Sequence, residues 1–212
     1  MEENKQHLET LTEIRSLMEK STKFISLSGL SVVAAGIVGL IGAIAAYVYL
    51  EIDFKAANYY DYAYNNDGTT NFNFINFFII NASTVLIVAL SFGIFFTARK
   101  AKKNNQTIWN ASSKRLLANL FLPLITGGLF CMILFYHGLI GLIAPATLIF
   151  YGLALINAGK YTLIDIRYLG VCEIILGLIS SVYIGYGLLF WGIGFGVLHV
   201  VYGTLVYFKY EK

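Results

Sequence analysis

Long runs without charged residues constrain this chain more than any other feature of its sequence. Residues 24–50, 74–98 and 116–158 contain no formally charged residue, and residues 169–208 contain a single acid, Glu173. A helix that spans a bilayer needs about 20 predominantly apolar residues, so each run is long enough for one or two spans. We therefore predict that lipid, rather than water, surrounds most of the chain.

The composition agrees with a membrane protein. Charged residues make up 13% of the 212 residues and hydrophobic residues 58%, whereas a soluble domain has about 25% charged residues. The sequence contains no nucleotide-binding, zinc-protease or serine-hydrolase motif. Its two cysteines, Cys131 and Cys172, form no CxxC motif, and their depths in the predicted spans keep them apart. We predict no cofactor, metal site, catalytic residue or nucleic-acid partner.

The two longest runs each divide into two spans. Run 116–158 is interrupted near His137, and run 169–208 breaks best near Gly185. The predicted fold is therefore all-α, a polytopic bundle of six transmembrane helices within residues 24–208. The predicted spans cover residues 24–50, 74–98, 116–136, 139–158, 169–186 and 188–208.

Residues 1–23 are rich in charge and precede the first span. Their apolar residues recur at steps of three and four: Leu8, Leu11, Ile14, Leu17 and Met18. This spacing is typical of an amphipathic helix, so we predict a cytoplasmic helix that lies on the membrane or binds a protein partner. The alternative is a solvated tail that only leads into the first span.

Lysine and arginine residues flank the predicted spans unevenly. Fourteen of the 15 fall on the side of the two termini, and Lys55 is the one exception. Because cytoplasmic loops carry the excess of basic residues, we predict that both termini, including the tail 209–212, are cytoplasmic. Six basic residues of the loop after the second span are expected to contact anionic lipid headgroups: Arg99, Lys100, Lys102, Lys103, Lys114 and Arg115.

Small residues recur on single faces of the first, fifth and sixth spans. Close packing at such residues is a main source of helix association in lipid. On the fifth span the predicted contact face includes Gly170 and Ser181 beside Glu173. We predict that six glycines pack against neighbouring helices: Gly39, Gly42, Gly177, Gly192, Gly196 and Gly203.

Two ionisable residues lie inside the predicted spans. At a rise of about 1.5 Å per residue, Glu173 lies about 7 Å and His199 about 13 Å from the inner ends of their helices. A short turn joins these helices, so we expect them to be antiparallel and the two side chains to face each other. A buried acid near the bilayer centre costs on the order of 3 kcal/mol. The pair is either a proton relay or cation site, or a polar clasp between the two helices.

Two segments resemble a group of uncharacterised six-span bacterial inner-membrane proteins: IRSLMEKSTKFISLSGLS at 14–31 and FWGIGFGVLHVVYG at 190–203. The resemblance implies a location in the bacterial cytoplasmic membrane and no particular activity. We expect first a non-enzymatic regulatory or partner-binding membrane component. The second alternative is a transporter or channel for an ion or small solute that uses Glu173 and His199, and the third is an intramembrane enzyme.

Overall fold

The computed structural model of the protein describes residues 28–50, 62–104 and 107–212, and this part of the chain is mostly helical. The all-α prediction is confirmed for these ranges. The predicted amphipathic helix at residues 1–23 lies outside the described residues.

Six helices of more than three turns follow one another within the described ranges. The last contains a π-helical segment, Gly192–Leu198, between two α-helical segments. The helices are α1 (Gly29–Tyr49), α2 (Phe72–Lys103), α3 (Ala111–Tyr136), α4 (Ile143–Ala158), α5 (Ile166–Val182) and α6 (Gly187–Tyr210).

Five of these helices are long and apolar enough to cross a membrane, counting α4 with the 3-10 turn before it. α5 is shorter, with 17 residues, and it contains Glu173. The apolar side chains of α2 and α3 are widely exposed; Ile94 is 71% exposed and Met132 68%. Such an extensive apolar surface is unfavourable in water and favourable in lipid. The chain therefore has the character of a membrane protein.

Asparagine side chains start α2 and α3. Asn71 accepts a hydrogen bond from the Phe74 N–H at 3.2 Å, and Asn110 accepts one from the Ser113 N–H at 2.8 Å. The Ser113 hydroxyl in turn accepts a hydrogen bond from the Asn110 N–H, which completes a capping box. These caps satisfy backbone donors at the helix ends, so α3 begins before residue 116, where the predicted span starts.

The helices form two groups of three. α1 packs against α2 and α6, and α4 packs against α3 and α5. The groups meet where the first half of α6 contacts α4 and α5. They also share a core in which Tyr202 and Val206 of α6 join Leu155 and Leu169. The interior of the molecule is thus a junction between α4, α5 and α6.

Glycine allows the backbones within each group to approach closely. A Cβ atom on Gly39 would lie 2.6 Å from the Phe195 carbonyl oxygen, and one on Gly152 would lie 2.5 Å from the Gly170 carbonyl oxygen. No side chain fits at such distances, so the α1–α6 and α4–α5 contacts require glycine.

The six glycines predicted to pack all lie at helix contacts in the structure. Gly39 faces α6, Gly42 faces α2, Gly177 faces α4, and Gly192, Gly196 and Gly203 face α1.

Contacts between helix ends define one face of the molecule. Glu211, after α6, accepts hydrogen bonds from the Ser28 hydroxyl at 3.1 Å and the Lys100 ammonium at 3.3 Å. Nearby, Asp165 before α5 accepts a hydrogen bond from the Lys209 ammonium at 2.7 Å. We call this end the Glu211 face. α1 and α5 start there, and α2 and α6 end there.

Candidate functional site

Three polar side chains from three helices meet at the junction between the two helix groups. They are Tyr151 of α4, Glu173 of α5 and His199 of α6, and we call them the Glu173 cluster. Glu173 is 0% exposed and His199 is 4% exposed. Glu173 is buried because residues four apart share a helix face, and both Leu169 and Gly177 on that face are buried.

His199 lies at the centre of the Glu173 cluster. Its Nε2 atom is 2.7 Å from the Tyr151 hydroxyl oxygen. Its Nδ1 atom is 2.9 Å from the Gly194 carbonyl oxygen and 3.5 Å from Oε1 of Glu173. The structure therefore brings together the two ionisable residues that the sequence analysis expected to face each other, and it adds Tyr151 and Gly194.

The Gly194 carbonyl determines the tautomer of the imidazole. A carbonyl oxygen only accepts hydrogen bonds, so Nδ1 of His199 must carry a hydrogen. In a neutral imidazole Nε2 is then the acceptor, and the Tyr151 hydroxyl donates to it. His199 therefore donates from Nδ1 to the Gly194 carbonyl and accepts at Nε2 from Tyr151, and Oε1 of Glu173 lies 3.5 Å from the same Nδ1 atom.

Glu173 is buried without the donors that an ionised carboxylate needs. Neither carboxyl oxygen has a hydrogen-bond partner among the described residues. The neighbouring N–H of His199 already donates to Gly194. Burying an ionised carboxylate in this way costs several kcal/mol, which good pairing alone offsets. The arrangement therefore suits a neutral, protonated carboxylic acid.

Apolar atoms line the side of Glu173 that carries Oε2. A Cβ atom built on Gly194 would lie 2.6 Å from this oxygen, 2.5 Å from the Leu148 side chain and 3.2 Å from the Leu176 side chain. A hard cation such as Ca²⁺ takes about six to eight oxygen ligands, and the two leucine side chains beside this oxygen supply none. A proton needs a single carboxyl oxygen and fits the site.

The described ranges hold no group of three or more His, Cys, Asp or Glu side chains suited to a metal ion. Cys131 and Cys172 are free thiols.

The π-helical segment positions His199 and Gly194. Its glycines Gly192, Gly194 and Gly196 are buried. Gly194 lies against Glu173, whereas the other two face α1, so this part of α6 is packed on both sides. Interruptions of this kind within α-helices occur frequently at functional sites.

Two further buried polar atoms lie along the same interior. The Tyr202 hydroxyl and the Ser180 hydroxyl have no hydrogen-bond partner within the described ranges. Tyr202 follows His199 by one turn toward the Glu211 face, and Ser180 follows Glu173 by two turns in the opposite direction. Tyr151 packs against the core that contains Tyr202.

The sequence analysis missed four of these groups and misassigned one. It included Ser181 in the packed face of α5, but Ser181 is half-buried and donates to the Gly177 carbonyl, whereas Ser180 is 0% exposed. Tyr151 and Tyr202 are two of 15 tyrosines, so the residue type alone could not identify them as part of the site. Gly194 was not predicted because the small residues considered on α6 all lie on one face of the helix, and Gly194 lies on another face.

The basic residues predicted to contact lipid gather at the Glu211 face. Lys100 is half-buried against Glu211. Beside them Trp109 is 68% exposed, with the Lys114 ammonium 5.8 Å from its ring centre. Exposed indoles and lysines are typical of the membrane–water interface. Five of the basic residues are exposed: Arg99, Lys102, Lys103, Lys114 and Arg115.

Asp165, on the same face, is an acid with well-placed donors. The Lys209 ammonium and the Tyr210 hydroxyl both donate to its Oδ2 atom, at 2.7 Å and 2.9 Å. The hydrogen bond from Lys209 is the main reason that the pKa of Asp165 lies below its usual value.

No family model, curated protein or solved structure matches the chain. The functional interpretation therefore follows from the geometry of the Glu173 cluster.

Proposed function

We propose that this chain is a six-span protein of the bacterial cytoplasmic membrane that binds and releases protons at Glu173 to drive transport of an ion or small solute. One observation carries the proposal: a fully buried carboxyl group, with no donor to either oxygen among the described residues, lies 3.5 Å from an imidazole nitrogen. Ionisable residues inside spanning helices mark proton relays and substrate paths in membrane proteins.

The position of the Glu173 cluster supports coupling between proton binding and movement. Glu173 belongs to the group of α3, α4 and α5, whereas His199 belongs to the group of α1, α2 and α6. A rocking of one group against the other would separate the two side chains. Because nearby charges and donors set the proton affinity of an acid, such a movement would change how tightly Glu173 holds its proton.

The described residues support the transport alternative, and the partner-binding component that was expected first stays a prediction. The helix that would bind a partner, residues 1–23, lies outside the described residues. The Glu173 cluster, in contrast, supplies specific proton chemistry. Transport of this kind requires no covalent step, so we propose a non-enzymatic protein.

The order of Tyr151, His199 and Glu173 also matches the order of groups in a hydrolase triad. In a triad the acid accepts the hydrogen bond of the imidazole Nδ1–H. Here the Gly194 carbonyl lies nearer to this nitrogen, at 2.9 Å, than Glu173 does at 3.5 Å. This difference supports a proton relay rather than nucleophilic catalysis.

In the proposed orientation the Glu211 face lies in the cytoplasm, and α5 also crosses the membrane, which brings the number of spans to six. The contacts of Glu211 with Ser28 and Lys100 support it, since they join the start of α1 to the ends of α2 and α6. The exposed basic residues and Trp109 on this face would then contact anionic headgroups, in agreement with the excess of basic residues on cytoplasmic loops.

Proton flux into liposomes tests the proposed function. The full chain is reconstituted with a trapped pH-sensitive dye, and an imposed pH gradient and membrane potential drive uptake in the presence of a mixture of ions and small solutes. We expect the wild type to acidify the lumen and Glu173→Gln to be inactive. Gly128→Ala is the matched control, because a Cβ atom on Gly128 meets nothing within 4 Å. A wild type no faster than Glu173→Gln would overturn the proposal.

A further inference from the structure

We propose that protons reach Glu173 from the Glu211 face along a buried relay formed by Tyr202, Tyr151 and His199. The inference rests on the proposed proton site and adds the direction from which it is filled and the residues that fill it.

The relay starts at the surface beside Asp165. The Asp165 side chain is 21% exposed, so it is in contact with the surroundings of the Glu211 face. Tyr202 lies on α6 between His199 and Lys209, and Lys209 forms an ion pair with Asp165. Tyr202 itself is 9% exposed, and its hydroxyl has no hydrogen-bond partner in the described part of the chain. A buried hydroxyl without a partner costs free energy, and a place in a proton path explains its presence.

Tyr151 connects Tyr202 to His199. Its ring packs against the core to which Tyr202 belongs. Its hydroxyl donates to Nε2 of His199 at 2.7 Å. Tyr151 therefore lies between the core that contains Tyr202 and the imidazole of His199, which is the position that a relay between them requires.

His199 completes the transfer. Its Nε2 atom takes a proton from Tyr151, which is replenished from the side of Tyr202, and its Nδ1 atom then releases a proton to Oε1 of Glu173, 3.5 Å away. The Tyr151 O–H bond breaks and re-forms with a proton from the side of Tyr202. One N–H bond forms at Nε2, the Nδ1–H bond breaks as its proton leaves the Gly194 carbonyl, and one O–H bond forms on the Glu173 carboxylate. The imidazole is neutral before and after, and no electrons are transferred. Rotation of the ring restores the starting tautomer.

The opposite route, past Ser180, is less favourable. Gly177 lies between Ser180 and Glu173 on α5, and a Cβ atom there would be 2.9 Å from the Pro145 carbonyl and 2.7 Å from the Ile149 side chain. The backbone and an apolar side chain of α4 therefore block proton transfer between Ser180 and Glu173. Within the described residues, the chain of hydroxyl and imidazole groups lies on the other side of Glu173.

Hydrogen–deuterium exchange of the Glu173 carboxyl tests the route. In lipid-reconstituted full chain, infrared spectroscopy follows the carbonyl band of the protonated acid after transfer to D₂O, and Glu173→Gln identifies the band. We expect Tyr151→Phe and Tyr202→Phe to slow its exchange by about tenfold or more, since proton transfer by a positioned group contributes about 10²- to 10⁴-fold. Each substitution keeps the ring and removes one oxygen, and melting temperatures check that the variants are folded.

Two controls give the experiment its direction. Tyr136→Phe makes the same change at a residue that is 84% exposed, and Ser180→Ala removes the hydroxyl of the opposite route. In both control variants the Glu173 carboxyl should exchange its hydrogen for deuterium at the wild-type rate. The route would be overturned if the Glu173 carboxyl exchanged at the wild-type rate in Tyr151→Phe and Tyr202→Phe. It would also be overturned if Ser180→Ala slowed this exchange as much as they do. Either result would leave the proposed proton site unaffected. A spectrum without a Glu173 carbonyl band would instead overturn the proposed proton site, and the route with it.

Discussion

Glu173 and Glu211 are the same amino acid in two opposite settings. Glu211 accepts hydrogen bonds from the Ser28 hydroxyl, the Gly29 N–H and the Lys100 ammonium, which lie at the start of α1 and the end of α2. Glu173 lies in the interior, and in the described part of the chain neither of its oxygens has a hydrogen-bond partner. One glutamate is fully paired at an edge, and the other is unpaired at the junction of two helix groups.

The difference separates a structural acid from a proton-binding acid. The donors around Glu211 join it to the start of α1 and the end of α2, which is a structural role. An unpaired buried carboxyl is neutral, and small changes around it alter its proton affinity. Loss of Glu211 should therefore affect stability alone, whereas loss of Glu173 should affect proton movement with little effect on stability.

The largest effect is expected for Gly194→Ala, which adds a methyl group beside Glu173. The new Cβ atom would lie 2.6 Å from Oε2 of Glu173 and 2.5 Å from Leu148. Overpacking of this kind costs about 1–3 kcal/mol, and displacement of the carboxyl should also abolish proton flux. Unfolding in mixed micelles measures the stability, with Gly128→Ala as the control. Equal stability of the two variants would contradict the close packing of Glu173 against Gly194.

Glu211→Gln should come next, with a purely structural effect. The neutral amide weakens the charge-assisted hydrogen bonds from Ser28 and Lys100, at a cost of about 1 kcal/mol, which is the difference between hydrogen bonds to charged and to neutral groups. The proton flux per folded molecule should remain at the wild-type level. Parallel measurements of unfolding and flux check both expectations, and a variant that loses flux while keeping its stability would reverse the roles assigned to the two glutamates.

Glu173→Gln should change stability by less than about 1 kcal/mol, because an amide resembles a neutral carboxylic acid in shape and charge. The same unfolding assay provides the measurement. If Glu173 were ionised in the wild type, the substitution would remove a buried charge and raise stability by several kcal/mol. A large stabilisation would therefore contradict the neutral state of Glu173.

Asp165→Asn should produce the smallest effect, a slightly lower melting temperature at neutral pH. Because Lys209 lowers the pKa of Asp165 in the folded protein, the contribution of the pair is complete above the unfolded-state pKa of about 3.9. It is lost as the pH falls through the lower folded-state pKa. Melting temperatures of wild type and variant should thus converge in acid, and a constant difference across that range would exclude the ion pair as the cause.

Much of the helical architecture was predictable, because lipid requires long uncharged segments and turns require particular residues. The turn predicted near Gly185 is an example: the structure has this residue at a φ of 114°, which favours glycine. The early start of α3 follows from Asn110 and Ser113, whose capping pattern is visible in the sequence. Helix starts of this kind depend on local chemistry alone.

The composition of the site was only partly predictable. Glu173 and His199 stand out because charge is rare in the spans, and the short connection between their helices predicts their proximity. Tyr151 comes from α4, and its hydrogen bond to His199 depends on how three helices pack together. The π-helical segment that turns the Gly194 carbonyl toward His199 breaks the helical period on which sequence analysis relies.

The protonation state of Glu173 at neutral pH tests the central claim most directly. An infrared difference spectrum between wild type and Glu173→Gln in lipid isolates the signal of this one side chain. The account predicts that the wild type contributes the carbonyl band of a protonated carboxylic acid. A pair of carboxylate bands in its place would show an ionised Glu173 and contradict the account.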